Sequence, residues 1–185
     1  MKVEARGGTP QLIYNTGKPL ESASWNREGI ILFSHLQPEG IWQTSAEGGT
    51  PSEVTKLDKS HQELSHSWPC WLPDGRHFLY TVQSRMPEHR GVYVRSLDSK
   101  DSKRLVDVDS NALYAQPGYL LYQRDRRLLG HPFNPKGLNL AGDPISIAEQ
   151  LTLSQSANAG IVTVSENGTR LYGAGSVSQQ LSQVD

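Results

Sequence analysis

A turn that ends in glycine and precedes a short apolar run occurs four times along the chain, and this repeat constrains the fold more than any other feature. The four turns are Asn26-Arg27-Glu28-Gly29, Pro73-Asp74-Gly75, Pro117-Gly118 and Glu166-Asn167-Gly168. Their glycines are separated by 46, 43 and 50 residues. A second marker, Gly8-Thr9-Pro10, recurs as Gly49-Thr50-Pro51 after 41 residues. Two independent markers with nearly the same period indicate a chain built from repeated units.

Each period predicts four short strands and leaves little room for helix. In the second repeat, β-rich runs bounded by Gly, Pro, Asn and Asp predict strands at residues 67–71, 77–83, 91–97 and 103–107. We name the four strands of a repeat A to D in chain order. Four antiparallel strands repeated every 40 to 50 residues are typical of β-propeller blades, whereas a sandwich needs no such repeat. The sequence therefore predicts an all-β fold of about four propeller blades.

The second repeat also resembles a known family. Its residues read His66-Ser67-Trp68-Pro69-Cys70-Trp71-Leu72-Pro73-Asp74-Gly75, followed by the apolar strand Phe78-Leu79-Tyr80. Together with Gly48-Gly49-Thr50-Pro51, this pattern resembles the TolB-type, WD-like β-propeller repeat, especially the propellers that follow the kinase domain in some bacterial serine/threonine kinases. The resemblance implies a periplasmic, extracytoplasmic repeat protein that acts as a bacterial sensor or scaffold.

The repeat boundaries predict incomplete blades at both ends. We expect an outer strand within residues 1–15, blades at about 16–57, 58–108 and 109–151, and a partial blade at 152–185. One interpretation is a fragment of a larger propeller, with a larger polypeptide around it and an unpaired sheet edge. The alternative is a four-bladed ring in which the N-terminal strand completes the last blade and hides both edges.

Charge and motifs argue against several functional classes. The chain has 18 Lys and Arg against 19 Asp and Glu, which gives no overall basic surface for nucleic acid. Its longest strictly aliphatic or aromatic run, residues 30–33, predicts no membrane insertion. No Gly-x-Ser-x-Gly elbow, phosphate-binding loop or His-Glu-x-x-His motif occurs. We therefore expect no catalytic residues, no metal site and no cofactor.

Several residues that invite a functional interpretation have a simpler structural one. The four tryptophans, Trp25, Trp42, Trp68 and Trp71, lie on predicted strands and are expected to pack between blades. Cys70, the only cysteine, is expected to be a buried structural thiol. Residues 107–111 begin like a calcium loop, but they lack its glycine and its glutamate. The motif Asn167-Gly168-Thr169 matches a glycosylation site, yet a tight turn explains it equally well.

Strand parity predicts which loops bind a partner. The D-to-A and B-to-C connections leave one end of the blades, and the A-to-B and C-to-D turns leave the other. We call the first end the loop face. Its long polar loops at residues 57–67 and 83–90 carry the candidate binding residues, which are Asp58, Lys59, His61, Glu63, His66, Arg85, Glu88, His89 and Arg90. Surface loops can vary without cost to the core, so binding residues concentrate there.

Two functional hypotheses follow from these patterns. The first is a noncatalytic propeller module that binds a protein, a peptide or a small ligand on the loop face. The alternative is the propeller of an enzyme, either a ring that gates access to a serine peptidase or the C-terminal region of a serine/threonine kinase.

Overall fold

The computed structural model describes residues 1–3, 6–36, 38–149, 162–164, 170–174 and 180–184, and these residues form almost only β-structure. The first sheet has the order β1-β2-β3-β4, with strands Leu20–Trp25, Ile30–His35, Trp42–Ser45 and Ser52–Glu53. The second sheet has the order β5-β6-β7-β8, with strands Glu63–Trp71, His77–Ser84, Gly91–Ser96 and Ser102–Val106. A single 3-10 turn, Pro87–His89, is the one helical segment in the described ranges.

The third sheet contains β9 to β13, in which β12 and β13 both pair with β11. Its strands are Ala112–Ala115, Tyr119–Arg124, Arg127–Asn134, Asn139–Leu140 and Ile145–Ala148. A last, three-stranded sheet contains β14 to β16, with strands Val162–Val164, Arg170–Ala174 and Gln180–Val184. Neighbouring strands are antiparallel in every sheet, and the sheets do not join into a closed ring. The predicted all-β, propeller-type architecture is confirmed, while the assignment of blade ranges stays a prediction.

The core lies between successive sheets, because a strand covered on both faces buries alternate residues in opposite directions. On β6, Phe78, Tyr80 and Val82 pack toward the first sheet. Leu79, on the same strand, belongs to a cluster shared with Leu120 of the third sheet. The second sheet is therefore packed between its two neighbours, as a propeller blade requires.

Strand β5 begins earlier than the sequence predicts. We expected this strand at residues 67–71, but it starts at Glu63 and pairs with Ser84 of β6. The eight-residue β6 offers backbone partners along this whole stretch, and a bulge between Ser67 and Cys70 adjusts the register. Glu63 and His66 therefore lie on a strand rather than in the loop to which we assigned them.

Two expectations about the N-terminal region are wrong. In residues 1–3 and 6–15 the only β-pairing is an isolated bridge between Lys2 and Gln11, so the expected outer strand is not formed in these residues. Trp25 is 54% exposed and so is not core, because no described sheet covers its face of the first sheet. Trp68, in contrast, is buried, and Trp42 and Trp71 are half-buried.

The A-to-B turns join neighbouring sheets as well as neighbouring strands. Gly29 and Gly75 have φ of 79° and 67°, a conformation that favours glycine. Asn26 accepts hydrogen bonds from the backbone N–H groups of Glu28 and Ile30, and its amide donates to the Gly75 carbonyl at 2.9 Å. One buried side chain thus ties two turns together. The Asn167-Gly168 turn and its glycosylation motif lie outside the described residues.

Candidate functional site

The loop face brings together the two loops that the sequence predicts as a binding surface. The side chains of His61, from the D-to-A loop, and His89, from the B-to-C loop, stack with ring centroids 3.7 Å apart. The Ser84 hydroxyl donates to the His61 carbonyl at 2.5 Å, and the Arg85 N–H donates to the Gln62 carbonyl at 3.1 Å. Residues 54–62 and 85–90 therefore form one continuous surface.

The nine candidate residues differ in how far solvent reaches them. Asp58, Lys59, Arg85 and Glu88 are exposed. His61, Glu63, His89 and Arg90 are half-buried, and His66 is only 4% exposed. The second group also has internal partners, since Arg90 Nε donates to the Ser84 carbonyl at 2.6 Å. Only the exposed group presents its charged ends fully to a partner.

A buried hydrogen-bonded chain supports the D-to-A loop from below. The Ile41 N–H donates to Thr55 Oγ1 at 2.7 Å, which leaves the Thr55 hydroxyl proton for His66 Nδ1, also at 2.7 Å. His66 Nε2 then carries a proton and donates it to Glu63 Oε2 at 2.9 Å. The same carboxylate oxygen accepts the Asp58 N–H at 2.6 Å. His66 and Glu63 thus hold the loop in place.

The charge of Glu63 follows from these contacts. Burial of the carboxyl would raise its pKa, but the hydrogen bonds from His66 and from the Asp58 backbone outweigh that cost and lower the pKa. The pKa of Asp58 is lowered mainly by hydrogen bonds from the Ser60 side chain and backbone. Both groups are therefore carboxylates at neutral pH.

A pocket of about 440 Å³ continues the loop face between the second and third sheets. It is lined by residues 107–110 and by the β10–β11 turn, where Asp125 and Arg126 both have positive φ. Asp109 lies 3.9 Å from Arg90, which links the pocket to the paired loops. Gln123 lies in the pocket wall, and neither its Nε2 nor its Oε1 has a hydrogen-bond partner in the described structure. Sequence analysis missed Gln123, because a glutamine on an apolar strand carries no motif.

The opposite face is less plain than strand parity suggests. A pocket of about 480 Å³ lies between the A-to-B turns of the three successive sheets. Trp25, Trp71 and Tyr114, each at or next to the end of an A strand, line it together with Glu28 and Asp74. We expected these tight turns to offer few groups, yet their clustering around one point creates an aromatic pocket that no single repeat reveals.

Other potential sites carry less. Among the described residues no three His, Cys, Asp or Glu side chains converge in a way that could hold a metal ion. Cys70 is partly buried against the core, and desolvation raises the pKa of its thiol. The searched residues include no helix long and apolar enough to cross a bilayer.

The structure is similar to several solved structures. TolB from Acinetobacter baumannii matches with a TM-score of 0.68 and 18% identity, over 98% of this chain and 44% of that chain. A chain of the nidogen–laminin complex matches with a TM-score of 0.61 and 12% identity, over 84% and 56% of the two chains. Puromycin hydrolase matches with a TM-score of 0.53 and 13% identity, over 99% and 41%.

These comparisons concern the fold. The chain spans between two fifths and three fifths of the length of these three structures. No protein-family model matches the chain, and the search of curated proteins gives no match either. At such low identities the likeness shows a TolB-like β-propeller fold, and the predicted likeness to kinase-linked propellers stays a prediction.

Proposed function

We propose that this chain is a noncatalytic β-propeller module that binds a protein or peptide on its loop face, within a larger polypeptide. The observation that carries the proposal is the joining of two separate loops by the His61–His89 stack. Loops positioned by a rigid scaffold are where binding residues concentrate in folds of this kind.

The charged groups of this surface support a polar partner. The side chains of Lys59, Arg85 and Glu88 are exposed and make no hydrogen bond or ion pair with any residue that the structure describes. Their backbone, in contrast, is fixed by the loop-to-loop bonds and by the 3-10 turn. Fixed backbone with uncommitted charged ends lowers the ordering cost of binding. One of the similar structures is itself a protein complex, that of nidogen and laminin.

The alternative is the propeller of an enzyme, and the similarity to puromycin hydrolase is the observation that favours it. In that case the catalytic groups would belong to another part of the polypeptide. Sequencing the flanking DNA would show whether hydrolase, kinase or further propeller motifs follow in frame. Hydrolysis of an aminoacyl p-nitroanilide by this chain, abolished by one substitution within it, would contradict the noncatalytic proposal.

The binding proposal is tested with a displayed library of random peptides and two matched triple variants. The first replaces Lys59, Arg85 and Glu88 with Ala. The second replaces Lys100, Asp101 and Lys136, which are exposed on the C-to-D turns at the other end of the sheets. Each variant removes two cations and one anion. We expect the selected peptides to bind the first variant at least about tenfold more weakly, which corresponds to about 1.4 kcal/mol, and to bind the second unchanged. The reverse pattern, with both variants folded, would place binding on the other face.

A further inference from the structure

The aromatic pocket at the opposite end of the sheets has walls that are already in position. Trp71 Nε1 donates to the Ser24 carbonyl at 3.1 Å, and its ring packs edge-on against Phe78 at 5.9 Å. Tyr114 packs edge-on against Phe133 at 6.3 Å. Both rings are half-buried, so each presents only part of its surface to the pocket. A ligand that enters between them meets aromatic surfaces that packing holds in place.

Trp25 differs from these two rings because it is open. Its side chain is 54% exposed and makes no ring contact with the described residues. A large exposed aromatic at the rim of a pocket is a surface on which a ligand can stack. The turn that follows Trp25 is fixed, because Asn26 is tied to Gly75 of the neighbouring turn. The Trp25 backbone is therefore anchored while its ring remains available.

The charge of the pocket favours a cation. Glu28 and Asp74 line it, and Glu28 makes no hydrogen bond or ion pair within the described structure. Asp74 accepts the N–H groups of Arg76 and His77 and pairs with the His77 ring at 2.5 Å. Burial would raise the pKa of Asp74, but these bonds lower it, so its carboxylate is present at neutral pH. Arg27, the single cation in the lining, has an interaction of its own.

We propose that this pocket binds a guanidinium group, stacked on Trp25 and paired with the Glu28 carboxylate. Guanidinium suits the site better than ammonium, because it is planar, stacks on aromatic faces and pairs with a carboxylate through two parallel hydrogen bonds. The ligand can be an arginine side chain of a protein partner or a free guanidino compound, and the chemistry of recognition is the same. This site lies on the opposite face from the proposed function and is independent of it.

The test uses the full chain and small probes of matched shape. The probes are N-acetylargininamide, its neutral isostere N-acetylcitrullinamide, N-acetyllysinamide and methylguanidinium. Binding is followed through the tryptophan indole N–H signals in ¹⁵N-edited spectra. Three variants accompany the native chain: Trp25→Leu, Glu28→Gln and, as a control that removes one exposed carboxylate outside the pocket, Asp101→Asn.

We expect saturable shifts of the Trp25 and Trp71 indole signals with the arginine probe, and none with citrulline. Glu28→Gln should weaken binding severalfold, Trp25→Leu should abolish the Trp71 shift, and Asp101→Asn should change neither. Methylguanidinium that binds as well as the arginine probe would identify the free group as sufficient, and weaker binding would indicate a peptide ligand. Both results support the proposal.

Three results would overturn it. Equal shifts with arginine and citrulline would show that charge is not recognised. Equal binding of lysine and arginine would contradict the guanidinium assignment. No saturable shift with any probe, with the native chain folded, would mean that the exposed Trp25 ring serves another contact, such as packing against a further sheet.

Discussion

Thr55 gives the sharpest test of the network that holds the loop face in place. Thr55 is 2% exposed, and its hydroxyl oxygen joins the Ile41 N–H to His66 Nδ1, with both distances at 2.7 Å. Thr55→Val keeps the shape of the side chain and removes the hydroxyl. The change leaves two buried polar groups without partners, each at a cost of about 1–2 kcal/mol. We therefore expect the free energy of unfolding to fall by about 2–4 kcal/mol.

The matched control is the same substitution at Thr44. This threonine is also buried, at 8% exposed, but its hydroxyl has no hydrogen-bond partner in the described structure. Thr44→Val removes an unpaired polar group, so its stability should be unchanged or higher by up to about 1 kcal/mol. The two variants differ only in what the hydroxyl touches.

Urea unfolding followed by tryptophan fluorescence measures both variants. With a slope of about 2 kcal/mol per molar urea, Thr55→Val should lower the midpoint by about 1–2 M. The Thr44→Val midpoint should stay the same or rise. If both midpoints fall by the same amount, the Thr55–His66–Glu63 chain adds nothing beyond packing, and the argument that it supports the loop is wrong.

Three further outcomes follow from the same contacts. Because the folded-state pKa of Glu63 is lowered, its contribution to stability is complete above the ordinary carboxyl pKa of about 4.3 and is lost as the pH falls through the lower folded value, so Glu63→Gln should flatten the acid limb of the stability curve. Gln123→Met should leave the urea midpoint equal or higher, because it replaces a buried carboxamide that lacks partners, and a clear fall would reveal a structural role for that amide. The exposed Leu20 and Trp25 should promote self-association, so changing both to Lys should lower the mass measured by light scattering at high concentration, whereas a native chain that is monomeric throughout would rule out association through this face.

The candidate surface was only partly predictable. Strand parity correctly placed residues 54–62 and 85–90 at the same end of the sheets, because antiparallel neighbours alternate the direction of their connections. It could not show that His66 points into the interior, since polar residues on an inner strand look the same in sequence whether a partner or solvent meets them. The hydrogen bond to Thr55 decides that question, and Thr55 lies eleven residues away in the chain.

The sequence by itself determined the β-repeat, because turn chemistry and two-residue alternation are local properties that survive in a single chain of letters. Gly29 and Gly75 mark their turns through backbone geometry, and Phe78 to Val82 mark a strand buried on both faces. The tertiary structure decided everything that depends on distance between repeats. It placed Trp25, Trp71 and Tyr114 around one pocket and left Trp25 open, although in sequence all three are aromatic residues near the ends of strands. Burial and proximity depend on which sheets pack together, and that information is spread over the whole chain rather than held in any one motif.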